Sequence, residues 1–263
     1  MTEDMKNCPL CGEKEFRLFD QRKLHGFEIS NQLCKHCGLV FQSPRMTDPE
    51  LNDFYIKKYR HLYQGDEDPT QKDLQTQKAR ANSLINFLDK ANVNPSQCLD
   101  IGCSAGILLN SLVKKYACNV TGVEPGLAYQ NYAQKQGVTV CSSLDDLPHI
   151  QKEKFDLVSM AHVLEHISNP VDYLSNLRKS YLSSDGWILI EVPNLYYHDC
   201  FEIAHLISFS SHTLQETLKK ASFEIVANKK HGLPRSDLLP LYLTFLARPL
   251  QEVSPAYQVQ TEQ

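Results

Sequence analysis

From residue 96 onward the chain alternates between two kinds of pattern. Short, almost wholly apolar runs stand at 97–101, 119–123, 138–141, 155–160, 187–192 and 223–228. Segments with helical spacing of apolar positions fill most of the gaps, at 106–116, 127–136, 170–182 and 211–221. Runs such as FDLVSM and WILIEV lack the in–out alternation of a half-exposed strand, so both of their faces are expected to be covered by helices. The alternation predicts an α/β fold with a doubly wound parallel sheet. A further helix is predicted over 71–91, with Leu74, Leu84, Ile85 and Leu88 near one face and NVNP ending it.

The first sixty residues follow another rhythm. FRLFD (16–20) and HGFEIS (25–30) are strand-like, 38–47 reads as a strand running into a turn, and a helical pattern covers Asp48 to Tyr63. GDEDPT at 65–70 has linker composition. The expected organisation is an N-terminal unit over 1–64, a main domain over 65–255 and a loose polar tail over 256–263.

Composition narrows the function. The chain has 263 residues and a formal charge of −4, and residues 1–60 hold ten Lys/Arg against nine Asp/Glu. Neither the whole nor the N-terminal unit is a basic surface for a phosphate backbone, so no nucleic-acid partner is favoured. The start, MTEDMKNCPL, lacks the apolar core of a signal peptide. The most apolar run, Leu238 to Leu250, is broken by Pro240 and Arg248, so no membrane span is expected. A cytoplasmic location follows as the default, and nine cysteines then read as thiols or metal ligands rather than disulfides.

Four of the nine are organised. Cys8-x-x-Cys11 and Cys34-x-x-Cys37 form two knuckles, each followed by glycine and separated by 22 residues. Two such knuckles supply four thiolates for tetrahedral Zn2+. A redox CxxC needs one pair in a βαβ setting, not two in a small ribbon. A closed four-sulfur site serves structure, and it gives a unit too small for a full core its stability. Cys98, Cys118, Cys141 and Cys200 fall on predicted strands or their edges and read as inert.

CLDIGCSAG, residues 98–106, matches G-x-S-x-G, the nucleophile elbow of serine hydrolases. Yet Ser104 follows the first strand of the α/β region, and an elbow has no use for an acid at Asp100. A cofactor cradle explains more. Gly102 permits a sharp turn, Gly106 lets the next helix start close to a ligand, and Glu124, 18 residues on, ends the second strand where an acid can accept from two ribose hydroxyls. Ser104 replaces the middle glycine that serves a pyrophosphate, which points to a nucleoside cofactor without one. Asp100 suits a cationic ligand.

In these motifs the sequence resembles the class I S-adenosylmethionine-dependent methyltransferases. LDIGCSAG is similar to their first motif, TGVEP to the second, FDLVSMAHVLEH to the fourth, and GWILIEVPN to the strand that follows. The resemblance spans about 97–228 and implies a Rossmann-like, seven-stranded sheet. It implies that Asp100, Gly102, Cys103 and Gly106 hold the methionine portion and Glu124, with Pro125 beside it, the ribose. Ser143 and Leu144 would flank the adenine, and Ala161 and His162 would lie nearest the cofactor. Residues 8–60, in CKHCGLVFQSPRMTDPELNDFY above all, resemble the N-terminal zinc ribbon of methyltransferases associated with sugars, surface polysaccharides and secondary metabolites.

His162-Val163-Leu164-Glu165-His166 also matches H-x-x-E-H, a zinc-protease motif. That motif needs a long helix, and only about seven residues separate FDLVSM from SNP, fewer than two turns. Methyl transfer to a hydroxyl or acidic carbon needs a base, and His162, His166, His198 and His205 are candidates. His205 is favoured. Its segment resembles one with a Glu-His pair near the substrate in sugar C-methyltransferases, although Ala204 stands where their glutamate would be. The expected reaction is O- or C-methylation of a small-molecule, sugar or glycan acceptor. Two other readings are a ribosomal RNA methyltransferase that uses the ribbon for recognition and a non-catalytic cofactor-binding scaffold. The oligomeric state is not readable.

Overall fold

The computed structural model describes residues 2–54, 68–150, 153–250 and 257–262. Its centre is a seven-stranded sheet built from β6 (Gln97–Ile101), β7 (Asn119–Val123), β8 (Thr139–Cys141), β9 (Phe155–Ala161), β10 (Leu182–Pro193), β12 (Phe223–His231) and β13 (Tyr242–Pro249). The order is β12-β13-β10-β9-β6-β7-β8. Strands β10, β9, β6, β7 and β8 run parallel, and β13 is antiparallel to both its neighbours. From β6 the chain winds outward to β7 and β8, then returns to place β9 on the other side of β6. That reversal opens a crevice at the carboxyl ends of β6 and β9.

Helices cover both faces. On one, α2 (Gln71–Lys90) packs on α3 (Ile107–Tyr116). Leu84, Leu88, Leu109 and Leu112 from these helices meet Cys98, Leu157, Leu189 and Leu246 from the sheet. On the other, α6 (Pro170–Ser180) packs on α7 (Ser211–Lys220), and Leu174, Leu177, Leu214 and Leu218 meet Leu99, Val158 and Ile190. Successive strand residues therefore bury into opposite cores, which is why the runs are apolar throughout. Two shorter helices, α4 (Leu127–Lys135) and α5 (Leu147–Ile150), flank β8.

The expected strands and helices are present, with ends shifted by a few residues. The pattern missed β13. Its residues were read only as an apolar run cut by Pro240 and Arg248, but Pro240 lies before the strand and Arg248 near its end. Ser210 caps α7, its hydroxyl accepting from the Thr213 amide.

The N-terminal unit contributes β1 (Thr2–Glu3), β2 (Phe16–Leu24), β3 (Phe27–Cys34), β4 (Val40–Gln42), β5 (Arg45–Met46) and α1 (Asp48–Phe54). The helix expected to reach Tyr63 and most of the expected linker lie outside the described residues. Strands β2, β3 and β4 form an antiparallel sheet whose fourth strand, β11 (Ile207–Ser208), comes from the far side of the chain. Ile207 pairs with Phe41 and Ser208 with Val40. Leu10, Ile29, Leu39, Phe41, Leu51 and Phe54 share one core with α6, α7 and the large sheet. The tail expected to be loose is held in place over residues 257–262. The Tyr257 hydroxyl and the Gln260 amide both donate to Glu216, and His36 and His212 reach tail carbonyls.

Phe41 is 1% exposed and packs edge-on against Phe16 at 5.4 Å. Phe41→Ala is expected to cost about 3–5 kcal/mol. Urea unfolding of the full chain measures it, and a loss under 1 kcal/mol would show that this seam contributes little.

Candidate functional site

The crevice is shaped first by a turn. After β6, Gly102 (φ +71°), Ser104 (φ +50°) and Gly106 (φ +71°) all take left-handed backbone conformations, which curl the chain between strand and helix. A Cβ on Gly102 would stand 2.5 Å from Val163 Cγ2, so the turn presses directly on the loop after β9. The Gly102 and Cys103 amides both donate to the Val123 carbonyl. The Cys103 side chain is buried and fills the space over Gly122, where a Cβ would lie 2.4 Å from its sulfur. Gly122 is thus a third glycine the cradle depends on, one the motif reading gave no role.

Glu124 follows the last residue of β7 at the rim of this turn, with Pro125 next. Its carboxylate accepts from the Ser104 amide at 3.0 Å and the Gly126 amide at 2.8 Å. Asp100 is buried beneath, accepting from the Ser159 hydroxyl at 2.7 Å. Burial pushes the Asp100 carboxyl up to about 7, the Ser159 bond opposes this, and the negative charge of Glu124 adds to it. Two acids at one strand edge form a cradle that a cation would relieve. Ser143 and Leu144 follow β8 as expected. Ser143 shares a reciprocal cap with Asp146, and the Leu144 carbonyl accepts from the Tyr181 hydroxyl.

Helix α2 lines the rim with residues that carried no motif. Gln77 bridges the Ser104 hydroxyl and Asp73, and Tyr129 also donates to Asp73. Three residues on, Arg80 donates to Glu191 Oε1 at 3.0 Å. Glu191, on β10, is 1% exposed and also accepts from Thr244. His231 Nε2 stands 3.2 Å and His162 Nε2 3.6 Å from its carboxylate. Burial alone would raise this carboxyl, but His162, His231 and Arg80 together hold it well below its ordinary range. A charged residue inside WILIEV was the available signal for it.

Ala161 closes β9, and His162 follows in a left-handed conformation (φ +58°) with its amide bonded to the Glu191 carbonyl. Residues 164–166 make a single tight 3-10 turn. No protease-type helix exists there. His162 is 24% exposed at its side chain and lies between Glu191 and Glu165, whose Oε1 is 3.4 Å from its Nδ1. His166 and His205 are brought together behind it, rings 4.7 Å apart and edge-on. Burial lowers His166 to about 4, against the opposing charge of Glu165. His205, the favoured base, is only 7% exposed, with its Nδ1–H donated to the Cys200 carbonyl. His198 stacks at an angle on Tyr242, more open to solvent.

The ribbon reaches this site through Gln42, whose amide donates to the carbonyls of Glu202 and His205 at 2.7 and 2.8 Å. Cys8, Cys11, Cys34 and Cys37 converge elsewhere in the ribbon, their sulfurs all within 4.8 Å of one another. Cys8–Cys37 and Cys11–Cys34 are 3.6 and 3.5 Å apart, far from disulfide bonds and close to the roughly 3.8 Å edge of a tetrahedron with 2.3 Å metal–sulfur bonds. Hydrogen bonds from Cys11, then Cys37 and Cys8, hold the Cys34 thiol far below its ordinary value. Cys98, Cys118, Cys141 and Cys200 are buried free thiols raised by burial, as inert cysteines are. Among the described residues, no helix is long and apolar enough to cross a membrane.

Comparison with known proteins agrees with this geometry. Solved structures share the fold: the 1,6-didemethyltoxoflavin-N1-methyltransferase of Burkholderia thailandensis, bound to S-adenosylhomocysteine, aligns over 88% of this chain and 99% of its own, with a TM-score of 0.59 and 19% identity. The magnesium protoporphyrin IX methyltransferase of Synechocystis PCC 6803 aligns over 78% and 100%, with a TM-score of 0.55 and 15% identity. Among curated relatives, the ubiquinone biosynthesis O-methyltransferase of Actinobacillus pleuropneumoniae serotype 7 is 31% identical over 107 residues, 36% of this chain and 45% of that protein. The mitochondrial enzyme of that name from Candida albicans is 25% identical over 144 residues, 48% and 43%. The chain thus spans less than half the length of these relatives. A family model described as a methyltransferase domain matches residues 72–228, more than half of the chain. The glycine turn and the acid after the second strand belong to that matched region, and the chain is a member of this methyltransferase family.

Proposed function

We propose that the chain methylates a hydroxyl or acidic carbon of a small-molecule, sugar or glycan acceptor, with cofactor and acceptor meeting at the crevice between β6 and β9. The observation that carries this reading is the contact of the glycine turn with the loop after β9. The missing Cβ of Gly102 lets Val163 pack against the turn, so the cradle and the loop that carries His162 lie side by side at the carboxyl ends of β6 and β9.

S-adenosylmethionine, when bound, supplies an electrophilic methyl carbon. The protein's task is placement, exclusion of water and removal of a proton. Asp100 and Glu124 make the cradle acidic, which fits a cofactor that carries an ammonium and a sulfonium. Ser104 and Gly126 amides fix Glu124 in place. A carboxylate has about four acceptor positions, so an acid fixed this way can also accept from ribose hydroxyls. Ala161 and His162 stand across from the turn. His162 is the more exposed imidazole of the cluster, oriented by Glu165 and Glu191, and we assign it the acceptor's proton. His205 and His166 sit deeper and shape the acceptor side. Four sulfurs at tetrahedral spacing fit structural Zn2+, which would hold the ribbon and, through Gln42, the His205 loop. The O-methyltransferase relatives favour an oxygen acceptor, without naming it.

Three outcomes are expected. Gly102→Asp, which places a carboxylate against Val163, abolishes S-adenosylhomocysteine binding in calorimetry; unchanged affinity would remove the cradle from this turn. Cys34→Ser lowers bound zinc by one equivalent in elemental analysis, and full occupancy would rule out the four-sulfur site. With methyl-labelled S-adenosylmethionine and a cell extract, label enters sugar, glycan or small-molecule fractions, and His162→Ala cuts the rate by about 10²–10⁴ while leaving cofactor affinity intact. Label in RNA would transfer the ribbon to substrate recognition, and an active His162→Ala would return the proton to another group.

A further inference from the structure

Glu165 is 1% exposed, and neither carboxylate oxygen has a hydrogen-bond partner. His162 Nδ1, 3.4 Å from one oxygen, is within ion-pair reach. A buried carboxylate left in this way is costly, and such groups are normally bonded, paired or bound to a metal. Its neighbours are two imidazoles already oriented by backbone carbonyls. His166 Nδ1 lies 2.9 Å from the Ala204 carbonyl, and His205 Nδ1 lies 2.8 Å from the Cys200 carbonyl. A carbonyl only accepts, so in both rings Nδ1 carries the hydrogen and, in the neutral ring, Nε2 carries the lone pair. An imidazole whose outer nitrogen is tied to a backbone carbonyl is the usual second-layer arrangement of a metal-binding histidine.

We propose that Glu165, His166 and His205 form a site for a first-row divalent transition ion, distinct from the four-cysteine site. One ligand atom from each lies within 4.8 Å of the others. Metal bonds of about 2.0–2.2 Å place tetrahedral ligand atoms about 3.3–3.6 Å apart, so the set needs to close by at most about 1.5 Å. Two nitrogens and one carboxylate are a ligand set used by zinc and by other ions of that row. Three protein ligands leave coordination positions open, and the site lies directly behind His162. An acceptor oxygen could occupy an open position, where the ion would favour its deprotonated form. That use rests on the methyl-transfer reading; metal binding does not. The ligands differ from the literal H-x-x-E-H pairing, since His205 comes from the loop held by Gln42 and His162 is not required.

The test is metal binding by the full chain, without any activity assay. Protein freed of loosely bound metal is titrated with Zn2+ and, separately, with Co2+, by calorimetry and visible absorption, and bound metal is counted. Wild type should bind one equivalent more than Glu165→Gln and His205→Ala, or bind it at least about tenfold more tightly. In protein whose cysteine site is filled with zinc, added Co2+ should give a ligand-field spectrum without sulfur charge-transfer intensity. Cys34→Ser should lose a different equivalent. His205→Gln, with thermal melting followed by circular dichroism, serves if the alanine variant fails to fold. Equal stoichiometry and affinity in wild type and the folded variants would overturn the proposal, as would wild type with no metal outside the cysteines. Cofactor affinity measured on the same samples shows separately whether the methyltransferase reading stands.

Discussion

The arrangement of the molecule depends on one short piece of strand pairing. Two residues of β11 complete the ribbon sheet, and next to them Gln42 holds the Glu202 and His205 carbonyls. Without that pairing the segment between β10 and α7 would have few partners for its backbone groups, which must be satisfied once buried. With it, the loop that carries His205 is fixed on both sides, by the ribbon and by the helix cap at Ser210. The ribbon is therefore part of the wall of the crevice as well as an appendage to it. Its four cysteines gather where β3 ends and β4 begins, next to the Val40–Ser208 pair.

The crevice itself results from the strand order. Parallel strands bring their carboxyl ends to one edge, and the reversal between β7 and β9 leaves room over β6. Every loop at that edge then contributes something different. The first gives backbone curvature, the second a fixed acid, the fourth a strained histidine and a tight turn. Glu191 sits one strand farther on and gathers Arg80, His231, Thr244 and His162 around a single buried carboxylate. This network joins α2, β10, β12, β13 and the loop after β9, so that loop is anchored to the sheet.

Much of this was legible in the sequence for a physical reason. Strands buried on both faces must be apolar, glycine marks left-handed turns, and paired knuckles bring four sulfurs together. Each signal is local. Gly102, Gly106 and Glu124 could be read from their neighbours in the chain, and so could the cysteines. What could not be read depends on distant partners. β13 looked like a broken apolar run because Pro240 and Arg248 fall just outside or at the end of its core register. β11 is two residues long and exists only because β4 lies beside it. Glu191 was hidden as one polar residue in an apolar strand, with partners 111 residues before it in Arg80 and 53 after it in Thr244. His205 was visible as a loop histidine, but its burial and its meeting with His166 come from the ribbon on one side and the turn at 164–166 on the other.

The pairing of Phe41 with Ile207 also bears on synthesis and assembly. The partners are 166 positions apart, so this is among the costly contacts in loop-closure terms. During synthesis β1 to β5 and the four paired cysteines emerge before any strand of the large sheet. Until residues 207–208 arrive, β4 remains an open edge with Phe41 exposed beside it, a surface prone to pair with other chains. The distance in sequence between Phe41 and Ile207 thus places completion of the ribbon sheet late in synthesis, after five strands of the large sheet have already been made.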